Sequence, residues 1–424
     1  MLSSQDCINL EHDYSFQNYH PLPVVLDRGE GANVYDVEGK KYIDCLSAYS
    51  AVNQGHCHPK IVKAMTDQAQ KLALTSRAFY NSSFGAFCKF ICEYFGYERC
   101  LMANGGVEAV EGAIKTARRW GYRKKGIPHN EAIIVTANDN FHGRTLGVIS
   151  FSGDKGATSD FGPFTPGFTS VPYSDIDALK AVFEESGDRI CAFLVEPIQG
   201  EAGVMVPEEE YLNEVRALCT QYNVLMITDE IQSGIGRSGK LLASDYADKN
   251  GHPDVVLLGK AVSGGLYPVS IVLTSHEIAS VIDPGSHGST YGGNPIACAV
   301  AKAALEVIRD EKLTERSMEL GQHFRARLGE IQHRHPEVIK SFRGKGLLNA
   351  IIIEELANGN GAWEFCLLLM KHGVLAKPTH GTIVRLAPPL NISKEDLDKI
   401  LDAFDTCCDE IQKVNKEEIP GYGM

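Results

Sequence analysis

The sequence predicts an α/β protein in which a mostly parallel central sheet carries helices on both faces, with a smaller α+β domain beside it. Two observations predict this fold class. Short apolar runs alternate with amphipathic segments between about residues 100 and 275, and the alternation ends beyond residue 310. The 424 residues exceed what one hydrophobic core ordinarily supports. We therefore expect a large domain at 51–310 and a small domain at 311–424, to which residues 1–50 contribute.

The first elements along the chain are expected to be short strands. Residues 20–50 predict a small antiparallel hairpin, because short apolar runs are separated by glycine-containing turns at Arg28-Gly29 and Glu38-Gly39. Five apolar runs further on predict fully buried strands: AIIVTA (132–137), ICAFLVE (190–196), VLMITD (224–229), VVLLG (255–259) and PVSIVLT (268–274). Right-handed crossovers bring the carboxyl ends of such strands to one edge of the sheet, where ligands bind.

Helices account for the segments between and after these strands. The pattern favours helices at 107–124 and 208–222, and a long one at 313–334. The small domain continues with predicted strands and a last helix: 347–353, 374–377, 382–386 and about 393–414. The final segment, NKEEIPGYGM, predicts a loose tail.

Composition excludes several classes of function. The net charge of -13 repels nucleic acid phosphates and anionic lipids, so neither nucleic acid nor a membrane is expected as a partner. The 12 cysteines are scattered without a CxxC pair, which indicates free intracellular thiols rather than disulfides or a zinc site. The segment MLSSQDCINLEHDYSF has no Lys or Arg, so we expect a cytoplasmic protein unless a mitochondrial transit peptide has been removed.

Three features at predicted strand ends and helix starts could carry chemistry. Lys260 follows a buried strand, where burial lowers an amine pKa and frees it to attack a carbonyl. Asp229 ends another strand, where a buried carboxylate needs a cation. Gly105-Gly106 opens a helix whose free N–H groups attract phosphate. Each alone has an ordinary explanation, namely a surface lysine, a helix cap and a loop.

Two other motifs have weaker interpretations. Residues 234–239, GIGRSG, match the GxGxxG pattern of nicotinamide dehydrogenases, but the following residues do not form the long helix that a dinucleotide site requires. His56-Cys57-His58 has no third ligand at useful spacing, so no metal is expected.

Six segments in one order resemble a known family: NGGVEA, FHGRT, VEPIQGEAG, ITDEIQSGIGRSG, LLGKAVSGGLYP and GSTYGGNP. Together they resemble the class III, ω-amino-acid aminotransferases of the fold type I pyridoxal-phosphate superfamily. The resemblance covers the chain from about Tyr19 to the last helix. It implies an enzyme that binds pyridoxal 5'-phosphate and works as a homodimer with shared active sites.

The resemblance also implies which residues bind the cofactor. Lys260 would form a Schiff base with it and shuttle a proton, and Asp229 would pair with the pyridinium nitrogen. Phe141 and Ile231 would lie on opposite faces of the ring, and Gln232 would hydrogen-bond its phenolic oxygen. Gly106 and Val107 would hold the phosphate, together with Thr290 from the partner subunit.

Further segments, among them SAYSAVNQGHCHPKIV and LAKPTHG, resemble the ornithine-specific branch of this class. This implies L-ornithine and 2-oxoglutarate as substrates; the alternatives are 4-aminobutyrate and N-acetylornithine, or a non-catalytic binding protein with this fold. The implied substrate residues lie in five places along the chain: Tyr19, Tyr49, Arg144, Glu201 and Arg385. Arg144 would bind the carboxylate remote from the reacting carbon and Arg385 the α-carboxylate of the oxo acid, while Glu201 would neutralise Arg385 when ornithine is bound.

This sequence differs from the family pattern at two positions. Gly105 replaces the usual Ser or Thr, and His142 occupies a position that is often Trp in animal enzymes of the ornithine branch.

Overall fold

The structure, a computed structural model, describes residues 2–248 and 251–423. An N-terminal helix is followed by three antiparallel strands and one short turn: α1 (Ser4–Tyr14), β1 (Leu26–Glu30), β2 (Asn33–Asp36), β3 (Lys41–Asp44) and α2 (Ser47–Ser50). The predicted turn at Glu38-Gly39 is confirmed, because Gly39 lies between β2 and β3 with a φ of 86°. The predicted turn at Arg28-Gly29 is wrong. Both residues lie inside β1, and the chain reverses at Gly31 instead, where φ is 58°.

The turn α2 is left-handed, with φ between 47° and 69° at all four residues. None of them is glycine, and this conformation costs roughly 1–2 kcal/mol for each such residue. Among the described residues, three hydrogen bonds that involve side chains hold it. Asp44 Oδ1 accepts the N–H groups of Leu46 and Ser47, both at 2.8 Å, and Ser47 Oγ donates to the carbonyl of Ala387 at 2.6 Å. The turn carries Tyr49 and is fastened to the C-terminal part of the chain.

The central part of the chain alternates strands and helices as predicted. Its strands are β4 (Arg99–Ala103), β5 (Ile133–Ala137), β6 (Phe168–Val171), β7 (Ile190–Val195), β8 (Leu225–Asp229), β9 (Val255–Leu258) and β10 (Ser270–Thr274). Its helices are α3 (Pro59–Lys71), α4 (Phe84–Phe95), α5 (Gly106–Trp120), α6 (Leu146–Ile149), α7 (Lys155–Thr158), α8 (Ile176–Ser186), α9 (Tyr211–Gln221), α10 (His276–Ala279) and α11 (Pro295–Asp310). A π-helical turn (Gly121–Lys125) extends α5, and 3₁₀ turns lie at Ala243–Tyr246 and Lys260–Ser263.

These seven strands form one sheet in the order β4-β10-β9-β8-β7-β5-β6. Only β10 runs against its neighbours, so the prediction of a mostly parallel sheet is confirmed. Successive residues of β5 enter different cores: Ile134 packs with the α5 side and Val135 with the side of α8 and α9. The sheet is therefore covered on both faces, and its strand ends meet at one edge.

The C-terminal part builds a second, antiparallel sheet in the order β11-β12-β15-β14. Its elements are α12 (Leu313–Arg334), β11 (Ser341–Lys345), β12 (Leu348–Ile352), α13 (Ala362–Lys371), β13 (Val374–Leu375), β14 (Lys377–Thr379), β15 (Ile383–Leu386), α14 (Lys394–Ile411) and a 3₁₀ turn (Lys416–Glu418). Strand β13 belongs instead to the N-terminal sheet, in the order β1-β2-β3-β13, where it pairs in parallel with β3 and joins the N-terminal strands to the C-terminal part. The division of the chain into a large and a small domain stays a prediction.

The predicted loose tail is wrong for the residues described, since Ile419 is 2% exposed within the main core. Within the described ranges, no helix has the length and apolarity that crossing a membrane requires.

Candidate active site

Three ionisable side chains meet at the carboxyl edge of the seven-stranded sheet. Glu196 follows β7, Asp229 ends β8, and Lys260 comes two residues after β9. They line a cavity of about 240 Å³. Every predicted cofactor residue except Thr290 lines the same cavity: Gly106, Val107, Phe141, Asp229, Ile231, Gln232 and Lys260. Arg144 and Glu201 line it too, so the structure brings together residues that are far apart in the chain.

Asp229 is buried and held by two hydrogen bonds. Its Oδ2 lies 2.7 Å from Nδ1 of His142, and its Oδ1 accepts the N–H of Ile231 at 3.0 Å. Burial opposes protonation of His142, but the hydrogen bond and charge of Asp229, with Glu196, outweigh it and raise the His142 pKa. The contacts with His142 Nδ1 and the Ile231 N–H fix the orientation of the Asp229 carboxyl group, and Asp229 lines the cavity.

Glu196 is buried behind the same pair. Its Oε2 accepts the backbone N–H of Phe141 at 3.1 Å, which fixes the loop that carries both Phe141 and His142. Burial raises the pKa of Glu196 to about 7, although the charge of His142 opposes the shift. Sequence reasoning missed this residue. Its position directly after a buried strand, like that of Asp229, is the signal that identifies it.

Lys260 has the properties of a reactive amine. Burial, aided by the charge of Arg385, lowers its pKa despite the opposing charges of Asp229, Glu201 and Glu196. Its φ of 43° is left-handed, and the next turn is 3₁₀. A lysine with a lowered pKa is more often the free base that attacks a carbonyl.

The start of α5 lines the same cavity as Lys260, through Gly106 and Val107. The first N–H groups of a helix have no partner inside the helix. Glu108 Oε2 accepts the N–H groups of Asn104 and Gly105, the two residues before α5, at 2.8 and 2.7 Å. The N–H groups of Gly106 and Val107 are thus placed to receive phosphate. Ile231 packs against Gly106, where an added Cβ would lie only 3.1 Å from its methyl group.

These residues fit pyridoxal phosphate. A buried carboxylate suits the ring nitrogen, a helix start suits the phosphate, and an amine of lowered pKa suits the aldehyde. Phe141 and Ile231 both line the cavity. Thr290 is exposed and does not line the cavity of its own chain.

Of the predicted substrate residues, Arg144 and Glu201 line this cavity, and Tyr19, Tyr49 and Arg385 do not. We call these five residues the outer end of the site. Arg385 Nη1 donates to Glu201 Oε2, so the predicted ion pair is present. Arg385 is 4% exposed, and its Nε has no hydrogen-bond partner among the described residues. Its guanidinium also lies over the Tyr49 ring, 4.9 Å from the centroid. Arg385 thus keeps one buried donor free.

Arg144 and Tyr19 are more open. Arg144 has a 59% exposed side chain, lies 3.6 Å from Asp154 and covers the Phe141 ring at 5.4 Å from the centroid. Tyr19 is 71% exposed and lines a groove with Arg144 that leads to the cavity. Both can therefore contact a ligand from the solvent side.

Two motifs from the sequence serve the fold. The glycines of GIGRSG allow a turn with φ of 80° at Gly236 and 88° at Gly239, which places Arg237 fully in the core. Arg237 there donates to Asn53, Leu347 and Pro388, and no long helix follows. In the HCH motif, His56 contacts Asp44 and His58 contacts Glu311. Within residues 2–248 and 251–423, no cluster of His, Cys, Asp and Glu side chains is suited to hold a metal ion.

Comparisons with known proteins agree with this geometry. A family model described as Aminotransferase class-III matches residues 14–408. The chain is 54% identical over 404 residues to the "Ornithine aminotransferase, mitochondrial" of Oryza sativa subsp. japonica, covering 95% of this chain and 85% of the rice protein. The crystal structure of the ornithine aminotransferase from Toxoplasma gondii ME49 aligns with a TM-score of 0.94 and 41% identity, covering 97% of this chain and 96% of that one. An acetylornithine aminotransferase from Elizabethkingia anophelis aligns with a TM-score of 0.88 and 51% identity, covering 97% and 100%.

Proposed function

The chain belongs to the class-III aminotransferases, and from this premise we propose that it transfers the δ-amino group of L-ornithine to 2-oxoglutarate. The products are glutamate and glutamate 5-semialdehyde, which cyclises to pyrroline-5-carboxylate. The enzyme is a pyridoxal-phosphate-dependent transaminase, and it returns to its starting form after two half-reactions that share one pocket.

The observation that carries this proposal is the ion pair between Glu201 and Arg385. A pocket that accepts ornithine by its δ-amine must present no unpaired cation where the side chain of ornithine lies, and Glu201 provides this. The same pocket must bind the α-carboxylate of 2-oxoglutarate, and the buried Arg385 can do so by a bidentate fork once Glu201 moves. Its unpartnered Nε is a donor that such a carboxylate would satisfy.

Bound pyridoxal phosphate supplies an electron sink for the carbanion formed when the substrate loses a proton. The chain supplies the remaining parts of the reaction. Lys260 takes that proton and returns it, because its lowered pKa leaves the amine able to act as a base. Asp229, oriented by His142, would pair with the ring nitrogen, and the N–H groups of Gly106 and Val107 would hold the phosphate.

At the outer end, Arg144 binds the distant carboxylate of either substrate, and Tyr19 and Tyr49 border the ornithine head group. Tyr49 is fixed by the left-handed turn and by its contact with Arg385. A larger N-acetyl group would meet this ring, which favours the free diamino acid over N-acetylornithine.

A homodimer is the assembly we propose. Thr290 is exposed and does not line its own cavity, which suits a residue that completes the phosphate site of a two-fold related copy. Exposed aromatic side chains at Phe79, Tyr80 and Tyr291 would be covered in such an assembly.

The test is a comparison of amine donors. L-ornithine, N-acetylornithine and 4-aminobutyrate are each assayed with 2-oxoglutarate, and ornithine is expected to give the highest kcat/KM. Because a related acetylornithine enzyme shares 51% identity, N-acetylornithine is the second candidate substrate. A higher kcat/KM for either competitor would overturn the ornithine assignment, while a weaker side activity would not.

A further inference from the structure

Moving Glu201 away from Arg385 creates a charge problem at the substrate end. The Glu201 side chain is 29% exposed and Arg385 is buried. When the carboxylate of the oxo acid occupies Arg385, Glu201 becomes an unpaired carboxylate in a partly desolvated pocket. Leaving one member of a buried ion pair without a partner is unfavourable, so the oxo-acid complex needs a second cation for Glu201.

Lys377 lies on the strand next to Arg385. Strands β14 and β15 are antiparallel, and Lys377 is the direct Cα partner of Arg385 in their register. Residues directly opposite each other in an antiparallel pair project from the same face of the sheet. Both cations therefore point towards the same side, where Glu201 and the tyrosines lie.

The backbone of Glu201 is fastened to this same strand. Its carbonyl accepts a hydrogen bond from Thr379 Oγ1 at 3.5 Å and lies 3.1 Å from His380 Nε2. Thr379 is two residues beyond Lys377 and shares its face of β14. The main chain of Glu201 is thus held next to β14, and its side chain pairs with Arg385 on β15.

Lys377 has no salt bridge with any of the residues that the structure describes; its Nζ lies 6.0 Å from the centroid of the Tyr19 ring. Burial lowers the Lys377 pKa, the charge of Arg385 adds to this, and the charge of Glu201 opposes it. Lys377 is therefore a half-buried cation that an approaching carboxylate would stabilise.

We propose that Lys377 is the second partner of Glu201. When the oxo acid displaces Glu201 from Arg385, the Glu201 carboxylate pairs with the Lys377 amine instead. Lys377 is then a specificity-determining residue that lets one pocket alternate between an amine and a carboxylate. This inference rests on the proposed function, because it concerns the same pocket.

The first test is Lys377→Met in the holoenzyme, with the two half-reactions followed separately by the visible absorbance of the bound cofactor. We expect kcat/KM for 2-oxoglutarate to fall about tenfold, the effect of losing roughly 1.4 kcal/mol, and that for ornithine to stay within about twofold. Binding of glutarate, a dicarboxylate that does not react, should weaken in parallel. Lys377→Arg should restore most of both losses. Lys345→Met is the matched control, since Lys345 lies in the same sheet but contacts Tyr246, and it should change neither half-reaction.

The decisive test is a double-mutant cycle with Glu201→Gln. In the Glu201→Gln variant, Lys377 has no carboxylate at position 201 with which to pair. Lys377→Met should therefore change kcat/KM for 2-oxoglutarate by less than about twofold in this background. A tenfold loss that persists there would show that Lys377 contacts the oxo acid directly and would overturn the proposal. So would an unchanged 2-oxoglutarate reaction in the single Lys377→Met variant.

Failure of the ornithine assignment would look different. The wild-type enzyme would then react poorly with ornithine, but the 2-oxoglutarate half-reaction could still be measured after loading with whichever amine it prefers. The cycle between Lys377 and Glu201 therefore tests the second partner independently of the amine.

Discussion

The inner and outer ends of the pocket are built in different ways. At the inner end, Asp229, Glu196 and Lys260 lie at the carboxyl ends of adjacent parallel strands. Both carboxylates are buried and hydrogen-bonded. At the outer end, Tyr19, Arg144 and Arg385 come from the N-terminal segment, a loop and the second sheet. Arg144 and Tyr19 are mostly exposed, and the buried Arg385 pairs with the partly exposed Glu201.

This difference separates two tasks. Chemistry on a fixed cofactor needs charges that do not move, and strand ends in a covered sheet provide them. Choosing between two substrates of different charge needs a contact that can be exchanged, and loops and sheet edges provide that. Substitutions at the inner end should therefore affect both half-reactions, and those at the outer end should affect one.

The largest effect is expected for Lys260→Ala. Both half-reactions should slow by about 10⁴-fold, the upper range for a positioned acid–base residue, because no other amine lines the cavity among the residues described. Stopped-flow absorbance after addition of ornithine measures this. If the variant kept about a hundredth of the wild-type rate or more, the proton transfer would have to be assigned to another group.

Asp229→Asn should come next, with a loss of about 10²- to 10³-fold in both half-reactions, since a preorganised charge opposite the ring nitrogen is removed. His142→Phe, which keeps the ring volume, should lose less because His142 acts through Asp229. Steady-state kinetics on both sides of the ping-pong cycle measure both variants. A His142 loss that equals the Asp229 loss would indicate that the two groups act as one unit.

Glu201→Gln should separate the two half-reactions. The ornithine step should lose about tenfold in kcat/KM, because Arg385 then faces the ornithine chain as an unpaired cation. The 2-oxoglutarate step should be unchanged or faster, since no ion pair has to be broken. Equal losses in both steps would contradict the division between the two ends of the pocket.

The smallest effect is a pH-dependent change in stability at Glu196. Burial raises the pKa of Glu196 to about 7 in the folded protein, above its value in the unfolded chain. The stabilisation that the protonated side chain provides is therefore complete below the unfolded pKa and is lost as the pH rises through about 7. Glu196→Gln avoids the buried charge and still accepts the Phe141 N–H. We expect it to be more stable than wild type by roughly 2–3 kcal/mol at pH 8 and by clearly less at pH 5. Thermal unfolding at both pH values is the measurement, and a shift of equal size at both would contradict the raised pKa.

The inner end is the part that sequence predicts best. Buried strands are continuous apolar runs, so the ends of β8 and β9 and the positions of Asp229 and Lys260 follow from local patterns. The edge strands β4 and β6 are not predicted from the sequence, because they are only partly buried and contain no continuous apolar run. Helix α12 at Leu313–Arg334 matches its predicted bounds.

Local sequence patterns do not predict the contacts at the outer end. Glu201 and Arg385 are separated by 184 positions, so their pairing is implied only by the family resemblance. Lys377 lies in the segment LAKPTHG, and only the strand register places it beside Arg385. The left-handed turn has no signal at all, since SAYS contains no glycine.

That turn has a consequence for the order in which the enzyme is made. Ser47 is held by the carbonyl of a residue 340 positions later, and four non-glycine residues do not keep a left-handed shape unaided. A nascent chain therefore exposes Tyr49 long before its fastening exists, and the ring reaches its place only after Ala387 has left the ribosome. The position of Tyr49 therefore depends on the folding of the C-terminal part of the chain.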